Sequence, residues 1–295
     1  MKTAVLINNY NHAPWLPACL DSVLAQTRPV DEIIVYDDAS TDGSLNILQG
    51  YDPRITVIAG QNPAPPLPPR ARQGNAIHQA FLRSTADVLF LLDSDDVFDP
   101  EKIEQYLPAF SSTPEPLLVQ APMRWIDEQG IKRKRYLEPF KHTPDPLAMT
   151  YATNDPDLFY PTSSLAFSRT FLSKALPIDW SDGINLWSDT RLSLAAMLQG
   201  PIVTLPRELG GWRHHVSSDS ARQALRHTYQ LRQTLRRTKV FNQLASRIGR
   251  PQVRVWQNHR LYRQLLRLMM PVAAFDLYQR WRNRKAPLNP NSSSA

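Results

Sequence analysis

The sequence is short of cysteine and of long apolar runs. Cys19 is the only cysteine among 295 residues, so no internal disulfide can form and a reducing compartment is expected. The longest nearly uncharged apolar stretch near the carboxyl end, Leu268–Phe275, is far shorter than the roughly 20 residues of a membrane-spanning helix. The amino terminus does not show a signal peptide's long apolar segment, because polar Asn8 and Asn9 follow the first apolar run directly. These absences predict a cytoplasmic protein.

Acidic residues are scarce in the last quarter of the chain. Residues 1–216 contain 18 Lys and Arg against 25 Asp and Glu, a net charge of −7, whereas residues 217–295 contain 16 against 2, a net charge of +14. This division predicts a main domain over residues 1–216, a basic helical appendage over 217–285 and a disordered tail over 286–295. The partner of the appendage is expected to be anionic.

Short apolar runs alternate with helical patterns over the first hundred residues. The pattern predicts strands at Thr3–Ile7, Glu32–Tyr36, Ile55–Ile58 and Val88–Leu92, and helices at Trp15–Gln26, Thr41–Gln49 and Gln73–Ser84. Further predictions are strands at Leu117–Ala121, Tyr136–Leu137 and Ile202–Leu205, and a helix at Ser188–Leu198. Such alternation is typical of an α/β fold with a mostly parallel sheet flanked by helices. Ligands of these sheets bind beyond the carboxyl ends of the strands, which is where two acidic clusters fall.

Asp93 and Asp95 follow the strand predicted at 88–92. Two carboxylates at this spacing in a turn can converge on one hard cation, with a diphosphate supplying the remaining oxygen ligands. The alternative is a loop that is acidic because it is exposed, but the position at a strand end favours a metal site. Asp96 is either a further ligand or the cap of the next helix.

Asp37 and Asp38 form the second acidic cluster, at the end of the strand predicted at 32–36. A carboxylate there can accept a hydrogen bond from N3 of uracil or from a ribose hydroxyl. Asp42 or Thr41 is expected to cap the helix that follows.

Four motifs follow one another along the first hundred residues: Leu6–Asn11, Leu20–Thr27, Asp31–Gly43 and Leu91–Asp96. In this order they closely resemble the family 2 glycosyltransferases of the GT-A fold. The similarity is clear over residues 2–99 and looser over 161–220. It implies a GT-A sheet, with a nucleotide-binding half over 1–110 and an acceptor half over 111–216.

The resemblance also implies a set of donor-binding residues. Tyr10 resembles the aromatic residue that packs against the uracil ring, with Asn9 as its polar neighbour. Asp37 and Asp38 match the pair that reads the base and the ribose. Arg72 stands where the family often has an arginine, which makes it a candidate contact to base or phosphate.

A metal site follows from the same resemblance. Asp95 resembles the principal ligand of a Mn²⁺ or Mg²⁺ ion, and Asp93 the residue that bridges ribose and metal. The family's usual Pro after the first strand is Asn8 here, and its usual Asn is His78. Neither departure removes a charge that the metal site needs, but both leave the exact donor open.

The segment 186–192 resembles the place where the family keeps its catalytic base, often written Glu-Asp, which is Ser188-Asp189 in this chain. In an inverting transfer the acceptor hydroxyl loses a proton as it attacks the anomeric carbon, and one carboxylate within hydrogen-bond reach suffices. Asp189 is therefore predicted to be the base, with Asp182 and Asp179 as fallbacks. The alternative is that Asp189 caps the helix that follows.

The segment Trp212–His215 resembles the closing segment of the family. The resemblance implies that His215 approaches the metal or the diphosphate and that Arg213 braces this loop as part of the donor-binding site. Trp180 and Trp187 either stack on an acceptor sugar or pack in the core.

The basic carboxyl-terminal segment carries an apolar stripe at helical spacing, formed by Leu261, Leu265 and Leu268/Met269. A helix of this kind can lie in an anionic membrane surface. It can equally pack its stripe on the catalytic domain, and apolar periodicity does not separate the two. Nucleic acid is not expected as a partner, because no recognised binding motif accompanies the charge.

The function predicted is an inverting, metal-dependent glycosyltransferase. The donor is expected to be a nucleotide sugar, most simply a UDP-sugar, and the acceptor a glycan or lipid-linked hydroxyl in surface polysaccharide assembly. A sugar-nucleotide nucleotidyltransferase is an alternative, but it would have a Gly-rich first loop where this chain has Asn8–Asn11. A non-catalytic glycan- or nucleotide-binding module is a third possibility, which the serine at position 188 keeps open.

Overall fold

The computed structural model describes residues 1–61, 67–132, 143–215 and 227–269. The strands are β1 (Thr3–Asn9), β2 (Glu32–Asp37), β3 (Ile55–Ala59), β4 (Val88–Asp93), β5 (Val97–Phe98), β6 (Leu118–Gln120), β7 (Arg124–Ile126), β8 (Ala166–Ser168), β9 (Ile202–Thr204) and β10 (Gly210–Arg213). The helices are α1 (Leu16–Leu24), α2 (Ser44–Gln49), α3 (Pro69–Arg83), α4 (Lys102–Phe110), α5 (Pro146–Thr153), α6 (Arg169–Ala175), α7 (Ser188–Gln199), α8 (His227–Arg247) and α9 (His259–Met269). A 3₁₀ turn at Thr162–Ser164 precedes β8.

Seven of the described strands form one sheet, in the order β3-β2-β1-β4-β8-β6-β9, and β5, β10 and β7 form a small second sheet. The four strands β3, β2, β1 and β4 run parallel, and β8 is antiparallel to both its neighbours. Along β1, Ala4 and Leu6 face one core while Val5 and Ile7 face the other, and each is at most 1% exposed. Residues 4–7 of the strand are all apolar because both faces of the sheet are covered there. The predicted α/β architecture is confirmed.

Several predicted elements have different ends in the structure. The helix predicted at Thr41–Gln49 begins at Ser44, because Gly43 has a φ of 88° and cannot belong to the helix. Asp42 is not its N-cap, but the Asp42 carboxylate accepts hydrogen bonds from the backbone and hydroxyl of Ser44. The helix predicted at Gln73–Ser84 begins earlier, at Pro69, since proline is well suited to a first helical turn. The strand predicted at 136–137 lies outside the described residues.

The two carboxyl-terminal helices pack on the body of the protein. On α8, Val240, Phe241 and Ala245 belong to the same buried cluster as side chains of α7, and α9 packs on α8. Leu261 of the predicted apolar stripe is 8% exposed, whereas Leu265 is 37% exposed. The structure therefore does not confirm a basic appendage separate from the body. Among the described helices, none combines the length and hydropathy that a membrane span requires.

Candidate active site

The candidate active site lies at the carboxyl ends of β1, β2 and β4. The register of the parallel strands pairs Asn9 with Asp37 and Asn8 with Asp93, so polar residues from three strand ends meet at one edge of the sheet. This is the edge where the sequence predicts ligand binding, and it brings both acidic clusters together.

One end of the site contains the exposed ring of Tyr10 and the buried carboxylates of Asp37 and Asp38. Asp37 is fully buried, and its two oxygens accept hydrogen bonds from Asn9 Nδ2 at 2.6 Å and from the Ser40 amide at 2.9 Å. Asp38 is paired with Arg72, whose Nε lies 2.5 Å from Asp38 Oδ2. Burial raises the pKa of Asp38, and the hydrogen bond and charge of Arg72 oppose that rise.

The exposed ring is that of Tyr10. The Arg72 guanidinium lies 4.5 Å from the ring centroid, and the Tyr10 residue is 47% exposed. Because Arg72 also donates to the Asp38 carbonyl oxygen at 2.7 Å, ring, cation and carboxylate form one unit. An aromatic face beside hydrogen-bonding groups can hold a planar base.

Asp95 forms a cluster with two histidines. Ligand atoms of His12, Asp95 and His215 all lie within 4.8 Å of one another. His215 Nε2 is 2.9 Å from Asp95 Oδ2, and His12 Nδ1 is 3.9 Å from Asp95 Oδ1. Burial raises the pKa of Asp95, but the hydrogen bond from His215 and the charge of His12 outweigh it, so the pKa is lowered overall. First-row divalent cations bind such ligands at about 2.1 Å, which places ligand atoms roughly 3–4 Å apart, so the three side chains would hold such an ion after a small inward shift.

Asp93 is not one of the three side chains in this cluster. Asp93 Oδ1 accepts a hydrogen bond from Asn8 Nδ2 at 2.7 Å and a longer one from Gln73 Nε2 at 3.4 Å. Burial raises the pKa of Asp93 to about 7, and the neighbouring charge of Asp95 adds to the effect. The two carboxylates that were predicted to converge thus face different partners.

Arg213 and Asp96 stabilise the loop that carries Asp95. Arg213 is 4% exposed, and its guanidinium donates to the carbonyl oxygens of Asp95, Asp127 and Glu128 at 2.6, 3.0 and 2.9 Å. The Arg213 amide donates to Asp96 Oδ1 at 2.7 Å, and Ser163 Oγ donates to Asp96 Oδ2 at 2.5 Å. Asp96 is therefore neither in the His12–Asp95–His215 cluster nor a helix cap. The guanidinium N–H groups of Arg213, which could contact a donor, are instead hydrogen-bonded to backbone carbonyl oxygens and brace the loop.

Asp189 lies in the first turn of α7, but Trp187 is the N-cap, so the predicted alternative of a cap at Asp189 is wrong. Asp189 Oδ2 accepts a hydrogen bond from Thr162 Oγ1 at 3.1 Å. Burial raises the pKa of Asp189, against hydrogen bonds from Thr190 and Thr162. The charge of Asp189 in turn helps to raise the pKa of Asp93, which places the two carboxyls in one electrostatic neighbourhood.

The two fallback carboxylates are engaged elsewhere. Asp182 forms a two-pronged ion pair with Arg191 at 2.8 and 2.9 Å. Asp179 accepts from the Ser181 amide at 2.9 Å and pairs with Arg247. Neither is among the residues that hydrogen-bond to the strand-end carboxylates.

Both candidate acceptor-binding tryptophans are half-buried and covered by arginine. The Arg191 guanidinium lies 4.6 Å from the ring centroid of Trp180, and the Arg70 guanidinium lies 5.0 Å from that of Trp187. These contacts favour the packing interpretation over a stacking platform for a sugar.

Sequence reasoning missed His12, Thr162 and Ser163. His12 follows the Asn-Tyr-Asn loop of β1, and its place next to a strand-end loop was a signal that it lies near the acidic clusters. Thr162 and Ser163 lie in an ordinary polar stretch with no comparable signal. Only the turn at 162–164, which lies against β4, brings them to the site.

Comparison with known proteins gives a consistent result. The sequence model of Glycosyl transferase family 2 matches residues 4–176. The chain is 31% identical over 227 residues to an uncharacterized glycosyltransferase of Nostoc sp., which covers 73% of this chain and 65% of the relative. It is 34% identical over 107 residues to a putative teichuronic acid biosynthesis glycosyltransferase of Bacillus subtilis, which covers 35% of this chain and 40% of the relative. The matched stretches span less than two thirds of either relative.

Solved structures share the fold. TarS of S. aureus in complex with UDP-GlcNAc aligns with a TM-score of 0.58 at 16% identity, over 90% of this chain and 73% of that one. A mannosyltransferase from Pyrobaculum calidifontis in complex with GDP-Man and Mn²⁺ aligns with a TM-score of 0.55 at 14% identity, over 97% and 76%. At these identities the similarity establishes the architecture, and the expected GT-A fold is confirmed.

Proposed function

The chain belongs to glycosyl transferase family 2, and we propose that it transfers a sugar from a nucleoside-diphosphate donor to an acceptor hydroxyl with inversion at the anomeric carbon. One observation carries the proposal. The Tyr10–Arg72–Asp38 unit and the His12–Asp95–His215 cluster follow the carboxyl ends of parallel strands, and Asp189, whose pKa is raised, is linked to Asp93 through Thr162 and Gln73.

The nucleotide is held at the Tyr10 end. The exposed Tyr10 ring offers one face to a planar base, while Arg72 fixes the Asp38 carboxylate beside it. Asp37 accepts hydrogen bonds from Asn9 and Ser40 and so stabilises the loop after β2, and the nucleobase would meet a preformed surface. A UDP-sugar is the donor we favour, because TarS carries UDP-GlcNAc on the same fold, although the mannosyltransferase carries GDP-Man.

The diphosphate lies next to Asp95. Asp95 and His215 would hold a Mn²⁺ or Mg²⁺ ion, and Asp93, which accepts hydrogen bonds from Asn8 and Gln73, would face the ribose. When bound, the ion supplies positive charge that offsets the charge growing on the leaving diphosphate. Arg213 and Asp96 keep the loop in the conformation that presents Asp95 to His215.

Asp189 is the general base. The acceptor oxygen attacks the anomeric carbon, the bond from that carbon to the diphosphate oxygen breaks, and the hydroxyl proton passes to the Asp189 carboxylate. A raised pKa suits this role, because a base is more effective when its pKa is close to the working pH. Thr162 Oγ1 fixes one carboxylate oxygen by donating to it at 3.1 Å.

The acceptor is proposed to be a glycan, lipid-linked in the simplest case, during surface polysaccharide assembly. The relative from Bacillus subtilis, described as acting in teichuronic acid biosynthesis, supports this setting. The surface of the carboxyl-terminal helices agrees with it, because residues 227–269 contain ten Lys and Arg and no Asp or Glu. Trp256 and Tyr262 there are 64% and 52% exposed. Basic and aromatic side chains together suit an anionic membrane surface.

The test is a screen of nucleotide sugars by mass spectrometry, with and without Mn²⁺, followed by Asp189→Asn. We expect the variant to bind UDP as the wild type does and to turn over about two to four powers of ten more slowly. Asp179→Asn is the matched control and should keep its turnover, since that carboxylate is exposed and paired with Arg247. Normal turnover in Asp189→Asn would refute the assignment of the base. Formation of a nucleotide sugar from a sugar phosphate would identify a nucleotidyltransferase instead.

A further inference from the structure

His12 and His215 are far apart in the sequence, and both approach the carboxylate of Asp95. The two imidazoles approach different oxygens of the carboxylate, His12 at Oδ1 and His215 at Oδ2. Ligand atoms of the three side chains nevertheless all lie within 4.8 Å of one another, so the three side chains border one space. The family resemblance of the sequence names Asp95 and His215 for this site and does not name His12.

The position of His12 is fixed by its surroundings. Its backbone carbonyl accepts the amides of Trp15 and Leu16 at 3.0 and 2.9 Å, so His12 is anchored to the start of α1. Its ring packs edge-on to Trp15 with centroids 5.7 Å apart, and Nδ1 lies 2.9 Å from Ser94 Oγ. Trp15 also lies against the His215 ring, at 3.9 Å between centroids. One tryptophan therefore sets the orientation of both imidazoles.

We propose that His12 is a third protein ligand of the cation, and that the site is consequently selective for Mn²⁺ over Mg²⁺. This inference rests on the proposed function, which requires a divalent ion at Asp95. Two imidazoles and one carboxylate are a donor set that first-row transition ions accept readily. Mg²⁺ prefers oxygen ligands and keeps its waters, so replacing two oxygens by nitrogens disfavours it.

Three protein ligands also have a consequence for the order of binding. A site with one or two protein ligands depends on the diphosphate to complete it, whereas a site with three can hold its ion before the donor arrives. The nucleotide-free protein should thus bind Mn²⁺ in a one-to-one ratio.

The experiment is a titration of full-length, nucleotide-free protein with Mn²⁺ alone, in which the free ion is measured by electron paramagnetic resonance and Mg²⁺ is then added as competitor. Pulsed spectra of the bound ion should show couplings to the nitrogens of two imidazoles. His12→Gln should remove one of the two couplings and weaken Mn²⁺ binding about tenfold or more, a loss similar to those seen when a metal's immediate environment is disturbed. Mg²⁺ binding should change much less, so the preference for Mn²⁺ shrinks.

His78→Gln is the matched control, because His78 lies on α3 and is not part of the three-residue cluster. It should bind Mn²⁺ as the wild type does. A single nitrogen coupling in the wild type would overturn the inference, and that result does not depend on how any variant folds. Mn²⁺ binding that requires UDP and is unchanged by His12→Gln would also overturn it while leaving the proposed function intact. Turnover without any divalent ion would refute this inference and the role of the ion in the proposed function, but not the sugar transfer itself.

Discussion

Gly74 of α3 lies close to Ser188 of α7, the residue before the proposed base. A Cβ atom built on Gly74 would lie 2.9 Å from Ser188 Oγ and 3.2 Å from Trp180 Cζ2. Ser188 is fully buried and donates to the Arg70 carbonyl oxygen at 2.8 Å, so its hydroxyl cannot simply turn away. The perturbation we consider is Gly74→Ala, which forces the two helices apart directly beside Asp189.

Two opposing terms set the size of the effect on the free energy of unfolding. Alanine is favoured over glycine in a helix by about 1 kcal/mol. Overpacking a tight contact costs about 1–3 kcal/mol. Gly74→Ala should therefore destabilise the protein by about 0–2 kcal/mol. In the double variant with Ser188→Ala the nearest obstructing atom is gone, so the part of the overpacking cost that comes from Ser188 should disappear while the 3.2 Å contact with Trp180 remains.

Urea unfolding of the wild type, both single variants and the double variant gives the coupling free energy directly. We expect a favourable coupling of about 1 kcal/mol between Gly74→Ala and Ser188→Ala, because the shorter of the two clashes, that with Ser188 Oγ, exists only when both the methyl group and the hydroxyl are present. Turnover should fall in Gly74→Ala and recover in the double variant as Asp189 returns to its position. Strictly additive effects on stability would show that the contact does not control the spacing of α3 and α7.

Two further predictions concern charge. Burial lowers the pKa of Lys102 to about 7 from an ordinary value of 10.5, and the charges of Asp99 and Asp96 oppose the effect. Between these pH values the unfolded chain binds more protons than the folded protein, so the free energy of unfolding should rise with pH by at most about 1.4 kcal/mol per pH unit. Urea unfolding at pH 7, 8.5 and 10 should show this rise in the wild type and not in Lys102→Met, and parallel pH profiles of the two proteins would contradict the prediction. The full-length protein should sediment with anionic vesicles at low salt and less at raised salt, and Trp256→Ala should weaken this binding; a protein that stays in the supernatant at low salt would restrict the basic helices to packing on the body.

The sequence allows the sheet and one edge of the site to be predicted, because both depend on local patterns. Asp37, Asp38 and Asp95 follow apolar strands, and parallel strands bring their ends to one edge. Contacts between segments that are distant in the sequence do not follow from such local patterns. Nothing in the spacing of His12 and His215, about two hundred residues apart, indicates that Trp15 aligns their rings.

Arg213 and the carboxyl-terminal stripe show a second limit of sequence patterns. The resemblance implies both that Arg213 braces its loop and that it belongs to the donor-binding site, without saying what its guanidinium contacts. In the structure Arg213 donates to three backbone carbonyls and is 4% exposed, which agrees with the bracing role. An apolar stripe suits a membrane or a core equally well. Only the buried contacts of Phe241 and Leu261 show that part of the carboxyl-terminal segment packs on the body.

The turn at 162–164 contacts both Asp189 and the loop that contains Asp93 and Asp96. Ser163 Oγ accepts the Asp93 amide at 3.0 Å and donates to Asp96, while its carbonyl accepts from Lys102 Nζ at 2.8 Å. The residue before it, Thr162, donates to Asp189.

Because adjacent residues of one short turn contact the loop of Asp93 and Asp96 and the proposed base Asp189, a shift of this turn should move both groups together. If Asp189 is the base, catalytic alignment depends on a segment that carries no acidic, basic or aromatic side chain.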